Sequence, residues 1–226
     1  MTVTGDKALV LLSGGQDSTT CLYWAIERFG RQAVTAISFD YGQRHRIELD
    51  CAATIADKAG VRYLCLPINT FAALGGDALT ETGVDVRGDL DTETGLPNTF
   101  VPGRNLIFLS FAAAYAYQRR IRHLVTGVAQ TDYSGYPDCR SQTIESMQET
   151  LRLGMESDVR VHTPLMHKSK KETVELAREL GALDAMADTH TCYNGVRPPC
   201  GECPACLLRA KGFAEAGVED PLIRTV

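Results

Sequence analysis

The sequence predicts an α/β fold with a doubly wound, mostly parallel sheet and a small cysteine-rich segment near its C-terminal end. Two observations support this class. Strand and helix patterns alternate three times within the first 67 residues. Such alternation favours right-handed crossovers and helices on both faces of a parallel sheet. Near the end of the chain, four of the eight cysteines lie between Cys192 and Cys206.

The first third of the chain supplies three strands and two helices. The strands are the short apolar runs at residues 7–12, 33–39 and 61–67. Apolar residues recur every three or four positions after Asp17, and again from Ile47, as on one face of an amphipathic helix. Gly30 and Gly60 are predicted to end these two helices.

Residues 69–103 interrupt the alternation of strands and helices. The stretch combines several glycines and prolines with many acids and threonines, and it is too long for an ordinary connection. We interpret it as a mobile lid or an excursion near the functional site. A solvated insertion without function is the alternative.

The remaining chain returns to the strand and helix pattern. Residues 106–117 are apolar almost all round, which is typical of a buried helix, including one at a subunit interface. Helices are also predicted over Ser141–Met155 and after Ser169, which can form a capping box with Glu172. Two further strands are predicted at residues 122–127 and 159–163.

Length and charge narrow the class of protein. A chain of 226 residues fits one large domain with an appendage, which we divide into residues 1–180 and 181–226. The net charge of −5 argues against nucleic acid as the main ligand, because proteins that grip its backbone usually present a basic face. Residues 1–6 do not resemble a signal peptide, and no apolar window reaches the roughly 18–20 residues of a membrane span. We therefore expect a cytoplasmic protein without a membrane partner.

The strongest functional signal is Ser-Gly-Gly-Gln-Asp-Ser at residues 13–18, between the first strand and the first helix. Open α/β sheets bind ligands at the carboxyl ends of their strands, and glycines let the backbone approach an anion. The amides and the dipole of the following helix favour phosphate. A carboxylate at Asp17 beside phosphates indicates a Mg²⁺ ligand or a fixed hydrogen-bond acceptor. A simple glycine-rich turn with Asp17 as helix cap is the alternative.

The C-terminal cysteines have the spacing of a closed metal site. Cys192, Cys200, Cys203 and Cys206 supply four thiolates, and structural zinc binds four such ligands tetrahedrally. Because this shell leaves no position for water, we expect a structural rather than a catalytic zinc. An iron–sulfur cluster could use the same ligands. His190 lies close in the sequence, but the four thiolates already complete the shell.

Five segments between about residues 11 and 209 form a specific combination. They are LLSGGQDSTTCL, FDYGQRHRIE, PNTFVPGRN, TDYSGYPDCR, and TCYNG followed by CGECPAC. This combination resembles the 7-cyano-7-deazaguanine synthase family of the PP-loop ATP pyrophosphatases, which have the adenine nucleotide alpha hydrolase-like fold. Residues 70–96 match that family weakly.

The resemblance implies a reaction, a set of cofactors and an assembly. ATP and ammonia would convert the carboxylate of 7-carboxy-7-deazaguanine into a nitrile for queuosine biosynthesis, through adenylate and amide intermediates. AMP and diphosphate would be released. The enzyme would use Mg²⁺ with ATP, carry one structural zinc per chain and form a homodimer. Its partners would be these small molecules and not nucleic acid.

The resemblance also implies roles for individual residues. The catalytic residues would be Asp17, Arg104 and Lys170, whose two cations suit a developing pyrophosphate. ATP would bind to Leu12, Ser13, Gly14, Gly15, Gln16, Asp17, Ser18, Thr19, Thr20, Asp40 and Gly127. The deazapurine pocket would be lined by Asp132, Tyr133, Ser134, Asp138 and Arg140. Taken singly, the two cations could be surface residues, and the stretch around Gly135 could be a structured turn.

Two other functions share parts of this pattern. A different PP-loop enzyme, such as a tRNA thiolase or the synthetase subunit of an amidotransferase, would have the same phosphate loop. A thiolase would require paired catalytic cysteines, whereas Cys21 in the first helix is better explained as a core residue. A zinc-ribbon module that binds nucleic acid gains support from Arg197, Arg209 and Lys211 but is opposed by the acidic charge.

Overall fold

A parallel five-stranded sheet organises the residues that the computed structural model describes, which are 5–43, 46–68, 70–71, 79, 90, 92–130 and 135–224. The strand order is β3-β2-β1-β4-β5, and every pairing is parallel. The strands are β1 Ala8–Leu11, β2 Val34–Asp40, β3 Arg62–Pro67, β4 His123–Val125 and β5 Arg160–His162. The predicted parallel sheet is therefore confirmed.

Helices follow the strands in the described part of the chain. They are α1 Gln16–Phe29, α2 Ile47–Ala59, α3 Arg104–Gln118, α4 Ser141–Met155, α5 Lys170–Glu179, α6 Pro204–Glu215 and α7 Pro221–Arg224. Short 3₁₀ turns occur at Arg31–Ala33, Pro137–Cys139 and Asp184–Asp188. The helices α6 and α7, in the cysteine-rich tail, are the ones that the sequence did not predict.

Two apolar cores lie on opposite faces of the sheet. Leu9 and Ile37 point to a core covered by α3 and α4, whereas Val10 and Ala36 point to a core covered by α1 and α2. Side chains of a strand alternate between the two faces, so a strand buried on both sides reads as a continuous apolar run. The doubly wound arrangement is confirmed by these two cores.

Helix α3 is buried on one side only. Leu109, Ala112 and Ala116 pack into the core, but Phe111 is 47% exposed and Tyr117 is 53% exposed. The prediction that this helix is buried on all sides is therefore wrong for a single copy of the chain. The reason is that α3 forms an outer layer, where only the face toward the sheet and α4 is covered.

The tail packs against the body of the fold through a third core. Val174 and Ala177 of α5 meet Phe213 of α6 there. The buried guanidinium of Arg209 donates to both carboxylate oxygens of Asp220, at 2.7 and 2.8 Å. This core joins residues on both sides of position 180, and the division into 1–180 and 181–226 stays a prediction.

Most of the predicted lid at residues 69–103 lies outside the described residues. Of the part that is described, Phe71 and Val101 are buried in the same core as α3, and Leu90 forms an isolated antiparallel bridge with Pro97. The lid function stays a prediction. In the part of the chain that the structure describes, no helix is long and apolar enough to cross a membrane.

Candidate active site

The loop at residues 13–18 occupies the centre of the sheet's carboxyl edge. Strand β1 lies between β2 and β4, so the chain moves outward in one direction through β2 and β3 and in the other through β4 and β5. Ligands of open α/β sheets bind where the strand order reverses in this way. The topology therefore places the predicted phosphate loop where such a sheet offers a crevice.

Hydroxyl groups hold the loop in a tight turn. The Ser18 Oγ accepts from the Ser13 amide at 3.1 Å, lies 3.0 Å from the Ser13 Oγ, and donates to the Gly15 carbonyl at 3.1 Å. The Thr19 Oγ1 donates to the same carbonyl at 2.8 Å. In the part of the chain that the structure describes, no side chain caps the start of α1. The amides of its first turn therefore lack a side-chain acceptor, as expected of an anion site.

Two glycines allow close approaches around this loop. Gly14 has a φ of +83°, and a Cβ there would lie 2.2 Å from the backbone oxygen of Glu48. Gly127 follows β4, and a Cβ there would lie 3.0 Å from the backbone nitrogen of Ser18. Any larger residue at either position would push neighbouring backbone away from the loop. The conformation of the loop therefore depends on both glycines.

Asp17 and Lys170, both predicted to be catalytic, lie side by side. The Lys170 Nζ donates to Asp17 Oδ2 at 2.6 Å, with the two side chains 13% and 26% exposed. Among the described residues, the buried Asp17 Oδ1 and the neighbouring Gln16 Nε2 have no hydrogen-bond partner. A buried polar atom without a partner costs about 1–3 kcal/mol. One free acceptor and one free donor thus lie at the start of α1, where a ligand could satisfy both.

A capping box positions Lys170 at the start of α5. The Ser169 Oγ accepts from the Glu172 amide at 3.3 Å, and Glu172 Oε2 accepts from the Ser169 amide at 2.7 Å, so the predicted capping box is confirmed. A Cβ on Gly212 of α6 would lie 2.8 Å from the Lys170 Cβ. The glycine therefore lets α6 pack closely behind Lys170, whose side chain reaches across to α1.

Arg104, the third predicted catalytic residue, begins α3 among aromatic side chains. Its Nη1 donates to the Tyr41 hydroxyl at 3.3 Å, and its guanidinium lies 5.8 Å from the centre of the Tyr41 ring. Burial alone would lower the pKa of Arg104, but Tyr41 and Tyr136 raise it above its ordinary value, together with Tyr193 and Asp138. The guanidinium therefore stays charged.

The predicted deazapurine residues are only partly described. Asp132, Tyr133 and Ser134 lie outside the described residues. The buried Asp138 Oδ2 accepts from the Asn105 amide at 3.0 Å, so this carboxylate caps the start of α3. The exposed Arg140 donates to the Gly135 carbonyl at 3.4 Å. The structure thus brings Asp138 close to Arg104, and the substrate contacts of all five residues stay predictions.

Three further residues assigned to ATP, outside the tight turn, also have partners within the protein. The backbone amide of Leu12 donates to the Ile37 carbonyl at 2.8 Å, and its carbonyl accepts from the Ser38 hydroxyl. The buried Thr20 Oγ1 donates to the Gln16 carbonyl at 3.0 Å. At the end of β2, Asp40 Oδ2 accepts from Arg46 Nη2 at 2.7 Å. These contacts support the loop and its surroundings, and nucleotide contacts by the three residues stay predictions.

Cys21 is a core residue, as predicted. Its side chain is fully buried, and its Sγ donates to the Thr126 carbonyl at 3.7 Å. Burial, with a smaller contribution from Asp17, raises the pKa of the Cys21 thiol well above its usual value. Nucleophilic cysteines react as thiolates, so this thiol is unsuited to attack on a substrate.

Sequence reasoning missed Glu48 and Tyr193, which lie near Arg104. Burial raises the pKa of Glu48 to about 7, and the positive charge of Arg104 opposes the shift. Burial also raises the pKa of Tyr193 far above its usual value. The sequence did contain a signal for both residues, because each lies in a segment that carries the family resemblance. Glu48 belongs to FDYGQRHRIE and Tyr193 to TCYNG.

The four tail cysteines converge on one point. Their Sγ atoms all lie within 4.8 Å of one another, and the Sγ atoms of Cys200 and Cys206 are 3.9 Å apart. A tetrahedral site with Zn–S bonds of about 2.3 Å has sulfur–sulfur edges of about 3.8 Å. The group of Cys192, Cys200, Cys203 and Cys206, which we call the metal cluster, could therefore hold a single metal ion such as zinc. Sulfurs this close leave no room for a cluster of several irons.

His190 connects this metal cluster to the phosphate loop. Its backbone amide donates to the Gly14 carbonyl at 2.9 Å, and its buried ring Nε2 lies 2.9 Å from the Cys192 carbonyl. The ring therefore serves the structure of this segment, and it lies outside the group of four sulfurs that could hold a metal ion. The metal cluster and the phosphate loop are joined through one residue.

The fold and the loop define an α/β protein of the PP-loop class. The solved structure titled U34-tRNA thiolase NcsA from Methanococcus maripaludis with its [4Fe-4S] cluster is similar in fold, with a TM-score of 0.51 and 17% identity. The similarity covers 98% of this chain and 67% of that one. A predicted tRNA methyltransferase subunit from Methanocaldococcus jannaschii gives a TM-score of 0.50 at 18% identity, over 77% of this chain and 75% of that one.

The particular family follows from sequence comparison. The chain belongs to the family described as Queuosine biosynthesis protein QueC, whose model matches residues 7–217. It is 66% identical to the 7-cyano-7-deazaguanine synthase of Chromobacterium violaceum, over 96% of this chain and 93% of that protein. It is 65% identical to the synthase of Laribacter hongkongensis, over 96% and 94%, and 50% identical to that of Staphylococcus saprophyticus, over 96% and 98%.

Proposed function

We propose that the chain is a 7-cyano-7-deazaguanine synthase, a carbon–nitrogen ligase acting in queuosine biosynthesis. It converts 7-carboxy-7-deazaguanine, ATP and ammonia into the 7-cyano product, AMP and diphosphate. Relatives of that name at 50–66% identity over nearly the whole chain support the proposal. The structural observation that carries it is a pair of buried atoms at the start of α1, Asp17 Oδ1 and Gln16 Nε2, that have no hydrogen-bond partner among the described residues.

ATP binds with its phosphates on the loop at residues 13–18. The uncapped amides of α1 are donors, and the Gln16 Nε2, which has no partner among the described residues, is a further donor. The helix dipole adds about half a positive charge at this end of α1. Every one of these groups recognises an anion, which suits the pyrophosphate that leaves when ATP forms an adenylate.

Asp17 fits a role as a ligand of the Mg²⁺ that accompanies ATP. Its Oδ2 accepts from Lys170, whereas no described residue donates to its Oδ1. Mg²⁺ prefers one or two carboxylates together with phosphate oxygens. The ion supplies positive charge to the phosphates when it is bound. Lys170 orients the carboxylate and adds a fixed charge beside the loop. Arg104 supplies another cation for the developing negative charge.

The chemistry explains why a carboxylate needs ATP to become a nitrile. A carboxylate has two oxygens and a nitrile has none, and neither oxygen can leave as hydroxide at a useful rate. Attack of the carboxylate on the α-phosphorus makes AMP the leaving group, and ammonia then gives the primary amide. A second adenylation removes the amide oxygen. The protein contributes positioning and charge rather than a covalent nucleophile.

The remaining features have structural and organisational roles in this proposal. Zinc on the four tail cysteines stabilises the segment that touches the phosphate loop through His190.

The exposed side chains Phe111 and Tyr117 of α3 support a homodimer through that helix. The enzyme works in the cytoplasm. In this proposal Asp138 and Arg140 contact the deazapurine, together with residues 132–134. Light scattering tests the dimer, and a mass near 24.6 kDa at micromolar concentration would count against it.

Mass spectrometry of the reaction mixture tests the proposed function. Purified protein is incubated with Mg²⁺-ATP, ammonium and 7-carboxy-7-deazaguanine, and the products are compared with incubations that each omit one component. We expect the nitrile and AMP only in the complete mixture. A complete mixture that yields no nitrile, with or without AMP, would contradict the proposed function.

A further inference from the structure

A cavity opens at the amino edge of the sheet, opposite the phosphate loop. Its volume is about 400 Å³, and its walls include Lys7, Thr35 and Arg62, which lie at or near the starts of β1, β2 and β3. The chain runs from Lys7 through β1 to Ser13, which spans about 20 Å when extended. This cavity, which we call the amino-edge cavity, is therefore separate from the candidate active site.

The register of the sheet explains why polar side chains line the amino-edge cavity. Side chains two residues apart on a strand share a face. Lys7 stands two residues before Leu9, and Thr35 two residues before Ile37, both of which belong to the core beneath α3. Arg62 pairs directly with Thr35 on the neighbouring strand. The cavity thus continues the face that α3 covers, at the point where apolar side chains give way to polar ones.

Residues at the ends of two helices complete the walls. Arg119, directly after α3, places its guanidinium 3.6 Å from the centre of the Tyr115 ring, and its Nη1 donates to the Tyr115 carbonyl at 3.4 Å. Arg31, in the turn after α1, has its Nη1 3.1 Å from the position that a Cβ on Gly60 would occupy. Both arginines line the cavity. Each guanidinium is therefore held in place by a neighbouring part of the protein.

Positive charge is concentrated at this cavity. Among the described residues, its walls contain four cations and no acid, the cations being Lys7, Arg31, Arg62 and Arg119. No described carboxylate forms an ion pair with any of the four. The whole chain carries a net charge of −5, so the cavity departs from the general charge of the protein.

The ends of the helices account for only part of this charge. The helices α1, α2 and α3 all end next to the cavity. A cation is favoured at such an end, because each helix contributes about half a negative charge there. Three such ends offset less than half of the charge on four cations. The remaining positive charge is available to an anion.

The cavity suits a small molecule that carries several negative charges close together. Its volume lies within the range of about 300–1,000 Å³ that is typical of small-molecule sites. Guanidinium groups are planar arrays of donors that match phosphate oxygens, often two at a time. A chain of two or three phosphates can present anionic oxygens to several cations at once, whereas a single carboxylate cannot.

We propose that the amino-edge cavity binds an oligophosphate, either inorganic or carried by a nucleotide, at a second site distinct from the phosphate loop. Lys7 and Arg62 contact its oxygens from the sheet, and Arg31 and Arg119 contact them from the ends of α1 and α3. The binding makes and breaks no covalent bond. It does not depend on the proposed synthase function.

Calorimetric titration with tripolyphosphate, without added Mg²⁺, tests the site. The test compares Arg62→Gln with Arg160→Gln, because each arginine is exposed and begins an edge strand, but only Arg62 lines the cavity. We expect R62Q to weaken binding at least about tenfold, as for the loss of one charged hydrogen bond. Four strand spacings place Arg160 about 19 Å away, beyond the Debye length, so R160Q should stay within about twofold of wild type.

Further arms of the experiment check the fold, the position and the source of the phosphates. R62Q should unfold within about 2 °C of wild type, because Arg62 is an exposed residue. Lys7→Gln is a second variant on the same wall and should weaken binding in the same direction. The titrations are repeated with diphosphate and with ATP. Equal affinity for ATP and tripolyphosphate would support recognition of phosphates alone, and tighter binding of ATP at the R62Q-sensitive site would support a nucleotide.

Three results would overturn the proposal. Tripolyphosphate affinity that is the same in wild type, R62Q and Lys7→Gln would show that these cations only offset the negative helix ends. Equal losses in R62Q and R160Q would show that the ligand responds to the overall charge of the protein and not to the cavity. No binding to wild type at about 1 mM tripolyphosphate would show that the cavity holds no oligophosphate.

Discussion

The phosphate loop and the metal cluster are built in opposite ways. All four cysteines of the metal cluster come from one stretch, from Cys192 to Cys206, and their sulfurs complete the site by themselves. The site at the phosphate loop pairs Asp17 of α1 with Lys170 of α5, two helices that are far apart in the sequence. The first kind of site depends on local spacing and the second on tertiary packing. The hydrogen bond from His190 to Gly14 couples the two.

Removing one metal ligand should produce the largest effect. We expect Cys203→Ser to lose the bound metal and to reduce stability, solubility and activity together, because the binding free energy of structural zinc, about 10 kcal/mol or more, is also folding free energy. Elemental analysis and thermal unfolding measure the two losses. Fresh wild-type protein with less than about a tenth of an equivalent of zinc would contradict the structural role. Cys65→Ser, an exposed cysteine outside the cluster, is the matched control.

Removing the carboxylate of Asp17 should impair the phosphate loop and leave the metal cluster intact. We expect Asp17→Ala to reduce AMP release by about 1,000-fold or more, since it removes the proposed Mg²⁺ ligand and frees Lys170. Zinc content should not change, and the free energy of unfolding should fall by about 1 kcal/mol or less. Asp57→Asn, an exposed acid of α2, is the control for charge. Unchanged turnover at saturating Mg²⁺-ATP would refute the role of Asp17.

A methyl group at Gly14 should disturb both sites at once. The added Cβ would collide with the Glu48 carbonyl oxygen, and an L-residue is strained at a φ of +83°. We expect Gly14→Ala to lower the free energy of unfolding by about 2–3 kcal/mol and to weaken zinc retention through His190. Urea unfolding and competition with a chelator measure these effects. Gly30→Ala also has a positive φ but no neighbour within 4 Å of the new Cβ, so it isolates the collision.

Glu48 should give the smallest effect, a dependence of stability on pH. Its pKa is raised in the folded state from 4.5 to about 7, so ionising it opposes folding and stability falls as pH rises through that window. Glu48→Gln avoids this penalty. We expect it to exceed wild type by about 1–2 kcal/mol in free energy of unfolding at pH 8, after allowance for partial exposure. The difference should vanish near pH 4.5, and a constant difference across this range would contradict the shift.

The same contrast explains how much the sequence could predict. Buried parallel strands have continuous apolar runs, so the observed β1, β2 and β3 begin and end within one residue of prediction. The cysteine spacing likewise identified the metal cluster. The sequence did not reveal that Glu48 lies near Arg104, because only folding brings these two residues together. Nor could it show that Phe111 and Tyr117 would remain exposed, because an apolar pattern does not define which face is covered.

Counting ATP per nitrile tests the central claim most directly, because one phosphate loop must act twice if both oxygens leave as part of AMP. Wild-type enzyme is given 7-carboxy-7-deazaguanine in one reaction, and the synthetic primary amide without ammonium in the other. We predict two AMP for each nitrile formed from the acid, and one AMP for each nitrile formed from the amide. An inert amide, or one AMP per nitrile from the acid, would contradict the account.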